Sequence, residues 1–356
     1  MTDEKIMMVH GSGGRATGEL ISAIFDKEFS NPVLDAMEDA AVVEGAWRIA
    51  MTTDSFVVTP AEFRGGDIGR LSICGTVNDL LMRGAEPKYI TCGFILEEGA
   101  DVALLKRVVH SMAETAKEAG VTIVAGDTKV VNGRGEIYIN TAGVGFIRGA
   151  VPSPDDAALS TDGRAPAAIS DTTDISAKNA RPGDAILVSG TMGDHHAAIL
   201  SERMQIDTDI ESDNAPLVEI VRNLLSAGLH VHVLRDITRG GLGTVLNELA
   251  EVSGQTFEIE EAAIPVSPKV KDFCGLLGLD PLYMGNEGKL VCILPEDEAD
   301  EALSVMKHSA YGQQAARIGK VKDAAQTTSP VVISKTAIGG ERIIGILEGE
   351  GLPRIC

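Results

Sequence analysis

Hydrophobic and polar residues recur along this chain with two periods, which predict helices and strands in alternation. Apolar positions three and four residues apart predict a helix from Asp101 to Ala119, with Asp101 as its N-cap and Gly120 as its C-terminal stop. Apolar or alternating runs predict strands at 47–58, from Lys88 to Leu96 and at 121–125. This alternation is typical of an α/β fold.

A second series of elements follows a stretch without periodicity. Residues 151–180 are rich in Pro, Ser, Ala, Asp and Thr, so we expect a linker with a disordered insertion there. The chain is therefore predicted to have one α/β domain at 1–150, another at 181–335 and a mobile tail at 336–356. The other predicted elements are a helix from Asp67 to Gly84, a strand from Asp184 to Val188, helices at about 195–203, 215–227, 241–252 and 296–309, and strands near 315–321 and 329–334.

The charge balance argues against two broad classes of partner. The sequence has 31 Lys and Arg residues against 52 Asp and Glu residues, a net charge of −21. Such a chain is repelled by nucleic acid and by anionic membrane surfaces, and no apolar run approaches the roughly 20 residues of a membrane-spanning helix. The charged start MTDEK at 1–5 is unlike a signal peptide. We therefore expect a cytoplasmic protein whose anionic ligands bind at locally built sites.

The five cysteines fall into two groups. Cys74, Cys92, Cys274 and Cys292 lie in apolar stretches, where a small buried hydrophobic residue is expected. The odd total and the lack of a C-x-x-C pair argue against a disulfide framework or a zinc site. Cys356 is the last residue and follows a glycine-containing run, so we expect its thiol on a flexible arm that can reach into a pocket. An incidental terminal cysteine is the alternative.

Four isolated acids lie beside turns, at strand ends or within an apolar helix. Asp54 interrupts a predicted strand, and Asp79 follows Asn78 in the middle of a predicted helix, where both residues have poor propensity. Asp127 follows a short buried strand, and Asp236 precedes a glycine-rich helix start. An acid in such a place either caps a turn or holds a cation. For the pair in the helix, simple exposure to solvent is the alternative.

One of these acids has a cation beside it. If the strand at 121–125 stays extended through GDTKV at 126–130, Asp127 and Lys129 project to the same face. A carboxylate beside an ammonium at a strand end suits a metal–phosphate site, in which the acid holds a hard cation and Lys129 meets a phosphate. A plain surface ion pair is the alternative, and the residues alone leave both open.

Two glycine-rich segments can bind phosphate. The glycines of HGSGG at 10–14 let main-chain N–H groups converge on an oxyanion, although a flexible turn is the alternative. The segment TRGGLG at 238–243 begins a predicted helix, whose N-terminus presents free N–H groups and the positive end of the dipole. Glu287 lies between glycines ahead of a strand, where it is either a turn residue or a base presented by a loop.

Together these segments resemble the hydrogenase-maturation branch of the aminoimidazole ribonucleotide synthetase-like family of ATP-using enzymes. The resemblance spans almost the whole chain, and the order and spacing of the motifs make it specific. The selenophosphate synthetase branch would carry a reactive cysteine or selenocysteine in the N-terminal glycine loop, and this loop has none. The motifs are HGSGG at 10–14, GTVNDL at 75–80, GDTKV at 126–130, GDHH at 193–196, DITRGG at 236–241, NEG at 286–288 and PRIC at 353–356.

The resemblance implies a fold, a reaction and its participants. The fold is a two-domain α/β (α+β) architecture whose N-terminal domains pair into a homodimer, with ATP bound near that interface. The terminal cysteine receives a carbamoyl group from the carbamoyltransferase HypF as a thiocarboxamide. ATP then activates the amide oxygen with Mg²⁺ as the metal, and loss of phosphate leaves a thiocyanate. The cyanide passes to the iron of a nickel–iron hydrogenase through HypC and HypD.

The resemblance also implies roles for individual residues. Cys356 would carry the substrate, and Glu287 would take the protons that the amide loses, with Lys129 or His10 as reserve bases. The residues expected to hold Mg²⁺ are Asp54, Asp79, Asp127 and Asp236. The residues expected to contact ATP are Gly11, Gly13, Gly14, Asn78, Gly126, Thr128, Lys129, Arg239 and Gly240.

Two other interpretations of the same residues are open. Another ATP-using enzyme of this family, acting on a small molecule, would keep the ATP site and have no need of Cys356. A non-catalytic maturation scaffold would bind ATP without splitting it and would dock partners through its tail. The chain also departs from the family pattern at His196, where glycine is expected, and in a longer linker near 150–172.

Overall fold

The computed structural model of the chain contains two domains joined through the linker region. It describes residues 5–11, 15–36, 41, 43–46, 48–147, 175–324, 329–336 and 338–346. Most of the predicted linker lies outside these ranges, as do Gly13, Gly14 and Cys356. Among the helices in these ranges, none is long and apolar enough to cross a bilayer.

A four-stranded sheet with helices packed on one face forms the N-terminal domain. Its elements are α1 (Arg15–Phe29), β1 (Ile49–Phe56), β2 (Glu62–Phe63), β3 (Gly66–Asp67), α2 (Ile68–Leu81), β4 (Ala85–Glu97), α3 (Val102–Ala119), β5 (Thr122–Val131) and β6 (Ile137–Ile147). The strand order is β1-β6-β4-β5, in which β6 is antiparallel to both neighbours and β4 is parallel to β5. The outer strands of the sheet are therefore β1 and β5.

Helix α3 shows how local sequence sets an element. Its N-cap, Asp101, accepts a hydrogen bond from the main-chain N–H of Leu104 (2.9 Å). Gly120 ends the helix at φ 70°, a left-handed conformation that glycine adopts without the steric cost of a Cβ. Leu105 and Met112 on its apolar face are fully buried. The predicted helix, cap and stop are confirmed.

The face of this sheet opposite the helices carries exposed apolar side chains. Ile49 and Met51 on β1, Ile95 on β4 and Val131 on β5 share that face by strand register, and their exposures range from 39% to 68%. An apolar surface on a sheet face is typical of a surface that contacts another protein.

A seven-stranded mixed sheet forms the centre of the C-terminal domain. The elements of this domain are β7 (Ala185–Val188), α4 (Asp194–Met204), α5 (Val218–Ser226), β8 (Val233–Asp236), α6 (Gly241–Ser253), β9 (Thr256–Glu260), α7 (Pro268–Leu277), β10 (Leu290–Leu294), α8 (Ala299–Lys307), β11 (Ala316–Lys322), β12 (Val332–Lys335) and β13 (Glu341–Ile344). The strand order in the sheet is β13-β12-β9-β11-β7-β10-β8.

The two domains share one hydrophobic core. Leu187, Leu234 and Cys292, on one face of the larger sheet, belong to the same buried cluster as the core of the N-terminal domain. The alternate residues Ile186 and Val291 belong to another cluster, together with apolar residues of α6. Because successive strand residues point to opposite faces, this sheet is buried on both sides. Apolar packing therefore holds the two domains against each other.

Several expectations about element bounds need correction. The tail predicted at 336–356 begins too early, because β13 pairs with β12 inside the larger sheet. Helix α2 ends at Leu81 and not at Gly84. The elements that the sequence patterns did not predict are α1, β2, β3, β6, β9, α7 and β13.

Candidate active site

A cleft between the two domains gathers three of the four isolated acids. The cleft has a volume of about 530 Å³. Asp54 enters it from β1, Asp79 from α2 and Asp236 from the end of β8. Glu287 and Arg239 line the same cleft from loops of the C-terminal domain. Five predicted site residues that are far apart in sequence therefore surround one cavity.

The charge of Asp79 helps to raise the pKa values of two other acids of the cleft, Asp54 and Asp236. Asp54 accepts a hydrogen bond from Thr76 Oγ1 (3.3 Å), and Asp79 accepts one from Thr52 Oγ1 (2.7 Å). Burial and then the charge of Asp79 raise the pKa of Asp54, and the same two causes raise the pKa of Asp236 to about 7. The cleft thus holds more negative charge than its own cations neutralise. A bound divalent cation would offset this repulsion.

The acids of the cleft fit a metal that is shared with a phosphate ligand. Within the described ranges, no three His, Cys, Asp or Glu side chains are arranged to hold a metal ion by themselves. Mg²⁺ commonly takes one or two protein carboxylates and completes its shell with water and phosphate oxygens. The geometry therefore suits Mg²⁺ that binds together with a nucleotide.

Glu287 lies in the wall of the cleft and is 5% exposed. Burial raises its pKa well above the ordinary value, and the charges of Asp213 and Asp236 add to this effect. The Arg239 guanidinium acts in the opposite direction. A carboxylate of raised pKa is a stronger base once it is deprotonated, which suits proton removal from a weakly acidic amide.

A second cavity, of about 330 Å³, lies between α1 and the sheet of the N-terminal domain. The apolar side chains that line it are Ile21, Phe25, Phe29, Leu34, Phe94 and Ile123. The predicted nucleotide residues that line it are Gly11, Gly126, Thr128 and Lys129, together with Asp127. Gly11 packs so closely on β5 that a Cβ would lie 2.6 Å from the main-chain nitrogen of Val130. An apolar cavity with a few polar groups suits an organic ligand with a charged end.

Asp127 and Lys129 form an ion pair on the extended strand β5. Lys129 Nζ lies 2.7 Å from Asp127, and the two side chains are 63% and 66% exposed, respectively. The hydrogen bond from the Lys129 ammonium lowers the pKa of Asp127. Because β5 stays extended, their predicted common face is confirmed. The two side chains also form the ion pair that was the alternative, and the metal–phosphate site stays a prediction.

The cleft and the second cavity lie at opposite edges of the four-stranded sheet. Asp54, Thr141, Cys92 and Gly126 follow one another across the four strands in register. Since neighbouring strands are about 4.8 Å apart, Asp54 and Gly126 are separated by roughly 14 Å. Asp127 is the next residue and points to the other face of the sheet. Within one chain, therefore, Asp127 lies apart from the other three acids.

Asn78 has a different role from the predicted nucleotide contact. It is 2% exposed, and its Nδ2 donates to the carbonyl oxygen of Ala215 (3.0 Å). Its Oδ1 accepts a hydrogen bond from the main-chain N–H of Leu217 (2.9 Å). Both partners belong to the other domain, so the amide joins the two domains. Asn78 lines neither the cleft nor the second cavity, which argues against the predicted contact with ATP.

His10 and Gly240 both serve the local backbone. His10 is 3% exposed, and its Nδ1 accepts a hydrogen bond from the main-chain N–H of Met7 (3.0 Å), which argues against a role as reserve base. Gly240 precedes α6 at φ 77°, and a Cβ there would lie 2.4 Å from Thr244 Oγ1. Glycine is therefore needed in the turn that places Arg239 in the cleft.

The cysteines of the described ranges are buried, as expected. Cys74, Cys92, Cys274 and Cys292 are free thiols in apolar surroundings. Burial raises the pKa of Cys92 and of Cys292 to about 12, so neither is a nucleophile at neutral pH.

The sequence did not reveal a buried ion pair behind Glu287. Lys289 Nζ lies 3.1 Å from Asp213 Oδ2, and the two side chains are 10% and 5% exposed. Asp213 belongs to an acidic, non-periodic segment that is typical of a solvated loop, so its burial depends on tertiary packing. The one available signal is the position of Lys289 directly before the fully buried strand β10.

Comparison with known proteins places this architecture in a family. The model of the AIR synthase related protein N-terminal domain matches residues 37–147, and the model of the corresponding C-terminal domain matches residues 181–331. These matches and the acid-lined cleft define a two-domain protein of the AIR synthase related class. Within that class, the chain belongs to the HypE family of carbamoyl dehydratases.

The similarity to relatives extends over whole chains. Carbamoyl dehydratase HypE from Cupriavidus necator is 47% identical over 358 residues, which cover 99% of this chain and 95% of the relative. A crystal structure of HypE in complex with ATP has a TM-score of 0.88 at 47% identity and covers 98% of this chain and 99% of that chain. The structure of a HypE–HypF complex has a TM-score of 0.74 at 44% identity, with 92% and 99% covered. The family expected from the motifs is confirmed.

Proposed function

We propose that this chain uses ATP to dehydrate a carbamoyl group on Cys356 to a thiocyanate, the cyanide source for a nickel–iron hydrogenase. Membership of the HypE family defines the reaction class, carbamoyl dehydration in hydrogenase maturation. The observation that carries the assignment to this chain's own residues is the cleft, where Asp54, Asp79 and Asp236 meet Glu287.

The reaction asks the protein for positioning and for proton transfer. The amide oxygen attacks the γ-phosphorus of ATP, ADP leaves, and one N–H proton is lost. Cleavage of the carbon–oxygen bond then releases phosphate while the second N–H proton is lost, which leaves S–C≡N. Phosphorylation makes the oxygen a good leaving group, so the dehydration is driven by ATP. Transfer of this kind depends mainly on electrostatic stabilisation and alignment.

The described residues supply the groups that these steps need. When bound, Mg²⁺ would neutralise the phosphate charge, and Asp54, Asp79 and Asp236 would hold it. Glu287 is the proposed base, because it combines a raised pKa with a place in the cleft wall. Lys129 is the proposed phosphate contact, and the apolar cavity beside it is the proposed site of the adenine ring.

A homodimer would bring the two separated parts of the site together. The apolar face of the N-terminal sheet, with Met51 the most exposed of its four large apolar side chains, fits a second copy of this chain. In such a dimer, Asp127 and Lys129 of one copy would complete the cleft of the other. This proposal restores a role in metal and phosphate binding to Asp127, which a single chain does not support.

Complementation between inactive variants tests the shared site. Asp79→Asn disables the cleft and Lys129→Ala disables the phosphate contact, so each homodimer is expected to be inactive. Mixing them equally after dissociation should restore about one quarter of wild-type turnover, since half of the dimers then hold one intact composite site. If each site is built from a single chain, every site in the mixture carries a defect and no activity returns.

Cys356 is within reach of the cleft of its own chain. The chain leaves β13 beside α6, where Asn247 Nδ2 donates to the carbonyl oxygen of Ile344 (3.0 Å). Val245 and Glu248 of the same helix line the cleft. A helix is about 10 Å across, whereas residues 347–356 can span about 33 Å when extended. We infer that the thiol can enter the cleft beside Glu287 without help from a partner chain.

The proposed partners follow from the reaction. A carbamoyltransferase of the HypF kind would load Cys356, and the solved HypE–HypF complex of a relative supports that pairing. A HypC–HypD complex would accept the cyanide, because a thiocyanate needs a partner that delivers cyanide to iron. Both assignments rest on the family and on the need for one thiol to visit successive proteins.

The mass of the C-terminal peptide tests the function directly. Incubation with HypF, carbamoyl phosphate and ATP should add a carbamoyl group to Cys356, and a chase with Mg-ATP should remove one water with release of ADP and phosphate. If Cys356 stays unmodified while ATP is consumed, a small-molecule acceptor replaces it and another family activity is indicated. If the adduct forms but ATP is bound without being split, the chain is a scaffold.

A further inference from the structure

Two buried charges of opposite sign lie directly behind the loop that carries Glu287. Asp213 stands on the segment that precedes α5, and Lys289 stands at the start of β10. Their side chains are 5% and 10% exposed, and the distance from Lys289 Nζ to Asp213 Oδ2 is 3.1 Å. Neither residue lines the acid-lined cleft.

Asp213 connects this ion pair to Glu287 through the main chain. The N–H of Glu287 donates to Asp213 Oδ1 (3.0 Å), which leaves Oδ2 for Lys289. Lys289 Nζ also donates to the carbonyl oxygen of Gly288 (3.3 Å). Asp213 and Lys289 therefore hold the loop at two consecutive residues, through the N–H of Glu287 and the carbonyl oxygen of Gly288.

Two glycines make this close contact possible. A Cβ on Gly288 would lie 2.0 Å from the carbonyl oxygen of Asp213, so only glycine lets the two segments approach. A Cβ on Gly190 would lie 2.8 Å from Cε of Lys289, so Gly190 makes room for the lysine stem. The packing is thus specific to this pair and to this loop.

A buried ion pair is weak evidence for stability, because desolvation of two charges offsets most of their attraction. A buried ion pair can instead be explained by the group that it holds in place. Here that group is Glu287, which has a proposed chemical role. The other end of Glu287 is held as well, since its carbonyl oxygen accepts a hydrogen bond from Asn78 Nδ2 (3.4 Å).

We propose that Asp213 is a positioning residue for Glu287. Its carboxylate holds the main-chain N–H of Glu287, and Lys289 fixes that carboxylate, so that the Glu287 side chain faces the cleft in one orientation. The inference rests on the proposed role of Glu287 as the base of the dehydration. Asp213 itself acts through Glu287 and does not touch the substrate.

A double-mutant cycle tests whether Asp213 acts through Glu287. The rate to follow is conversion of carbamoylated Cys356 to thiocyanate in one turnover at saturating Mg-ATP. Glu287→Gln should lower it about 100- to 1000-fold, and Asp213→Ala about 10- to 100-fold. Because the second change acts through the first residue, the double variant should lie within about twofold of Glu287→Gln.

Hydrogen exchange in the ATP-free protein gives a readout that needs no turnover. In the wild type, the Glu287 amide is bonded to Asp213 and its exchange should be slow. Asp213→Ala should speed exchange in the peptide around residues 285–290 by about 10-fold or more. Asp213→Asn keeps an oxygen that can accept from Glu287, so it should retain most of the protection and recover most of the rate.

A buried aspartate elsewhere in the same domain is the matched control. Asp184 is 4% exposed and bonds to the main-chain N–H of Arg181 (2.8 Å) and to His232, with no contact to the loop of Glu287. Asp184→Ala should leave the turnover rate within about twofold of wild type. If Asp213→Ala does not fold, Asp213→Asn takes its place in the cycle, with a smaller effect that must again vanish when Glu287 is changed.

The outcomes distinguish the positioning role of Asp213 from the role of Glu287 as the base. Additive losses in the double variant, or unchanged exchange at residues 285–290 after Asp213→Ala, overturn the positioning role while the base stays supported. Full turnover by Glu287→Gln overturns the base itself, whatever Asp213 does to exchange.

Discussion

Single residues in the interior of this molecule carry polar groups whose contacts can be tested one at a time. His195 and His196 at the start of α4 are both buried, and the Nδ1 of His195 lies 2.7 Å from Ser212 Oγ. Burial is the largest cause that lowers the pKa of each imidazole, from 6.5 to about 4. Both side chains are therefore neutral in the native protein across the physiological range.

We expect these histidines to make the protein acid-sensitive. Their folded-state pKa lies below the unfolded value, so the unfolded chain binds more protons between pH 6.5 and 4. The stabilisation is complete above about pH 6.5 and is lost as the pH falls. His195 alone should lower the free energy of unfolding by about 2 kcal/mol between pH 7.5 and pH 5. Urea unfolding at both pH values measures this loss in the free energy of unfolding. The loss should be smaller in His195→Asn, and an equal loss in that variant would show that other groups cause it.

Removal of the Asn78 amide should weaken the contact between the domains. Asn78→Ala leaves the N–H of Leu217 and the carbonyl of Ala215 buried without that partner, which costs about 1–3 kcal/mol. Urea unfolding should show this loss, whereas calorimetry should find ATP affinity within about twofold of wild type. Asn223→Ala, which removes a single partly buried bond to Ser309, is the milder control. A large loss of ATP affinity would instead restore the nucleotide contact that the sequence predicted.

At the scale of the element, two glycines show how local sequence ends a helix. Gly120 ends α3 at φ 70°, and Gly278 ends α7 at φ 69°, each in the left-handed region. Gly275 lies inside α7, with open space around its Cβ position. The same substitution at an end and in an interior should therefore have opposite effects.

We expect Gly120→Ala to destabilise the protein by about 1 kcal/mol, since alanine pays a steric cost in the left-handed region. No neighbouring atom lies within 4 Å of the Cβ position, so the change is conformational and not a clash. Gly275→Ala should stabilise by about 0.5–1 kcal/mol, because alanine is the better helix former. Thermal unfolding of the two variants compares them directly, and a shift of the same sign in both would contradict the explanation.

At the scale of the whole molecule, the exposed apolar face of the N-terminal sheet is the feature that predicts assembly. Met51 is 68% exposed on that face. Met51→Glu should place a charge in the proposed interface, so we expect sedimentation to find dimers for the wild type and monomers for the variant. Leu276→Glu is the control, because Leu276 is 74% exposed on α7 of the other domain. Dimers that persist in Met51→Glu would place the interface on another surface.

Sequence patterns predicted most of the elements near the site but not their arrangement. The prediction of α3 from Asp101 and Gly120 was correct, because caps act within one turn of the helix. The sequence also pointed to the isolated acids Asp54, Asp79 and Asp236 and to Glu287 on a loop, and these four residues line one cleft. It did not predict α1 or β6, nor the place of β13 in the sheet, because pairing partners are far apart in the chain.

The sequence by itself determined the family, the two ends of α3, the burial of the four internal cysteines and the four acids that line the cleft. These follow from motifs and from contacts between residues close in the chain. Only the tertiary structure decided that Asp127 lies at the opposite edge of the sheet from Asp54, that Asn78 joins the domains, and that Asp213 supports Glu287 from behind. The physical reason is that strand order and domain packing set these distances, and both depend on residues far apart in sequence.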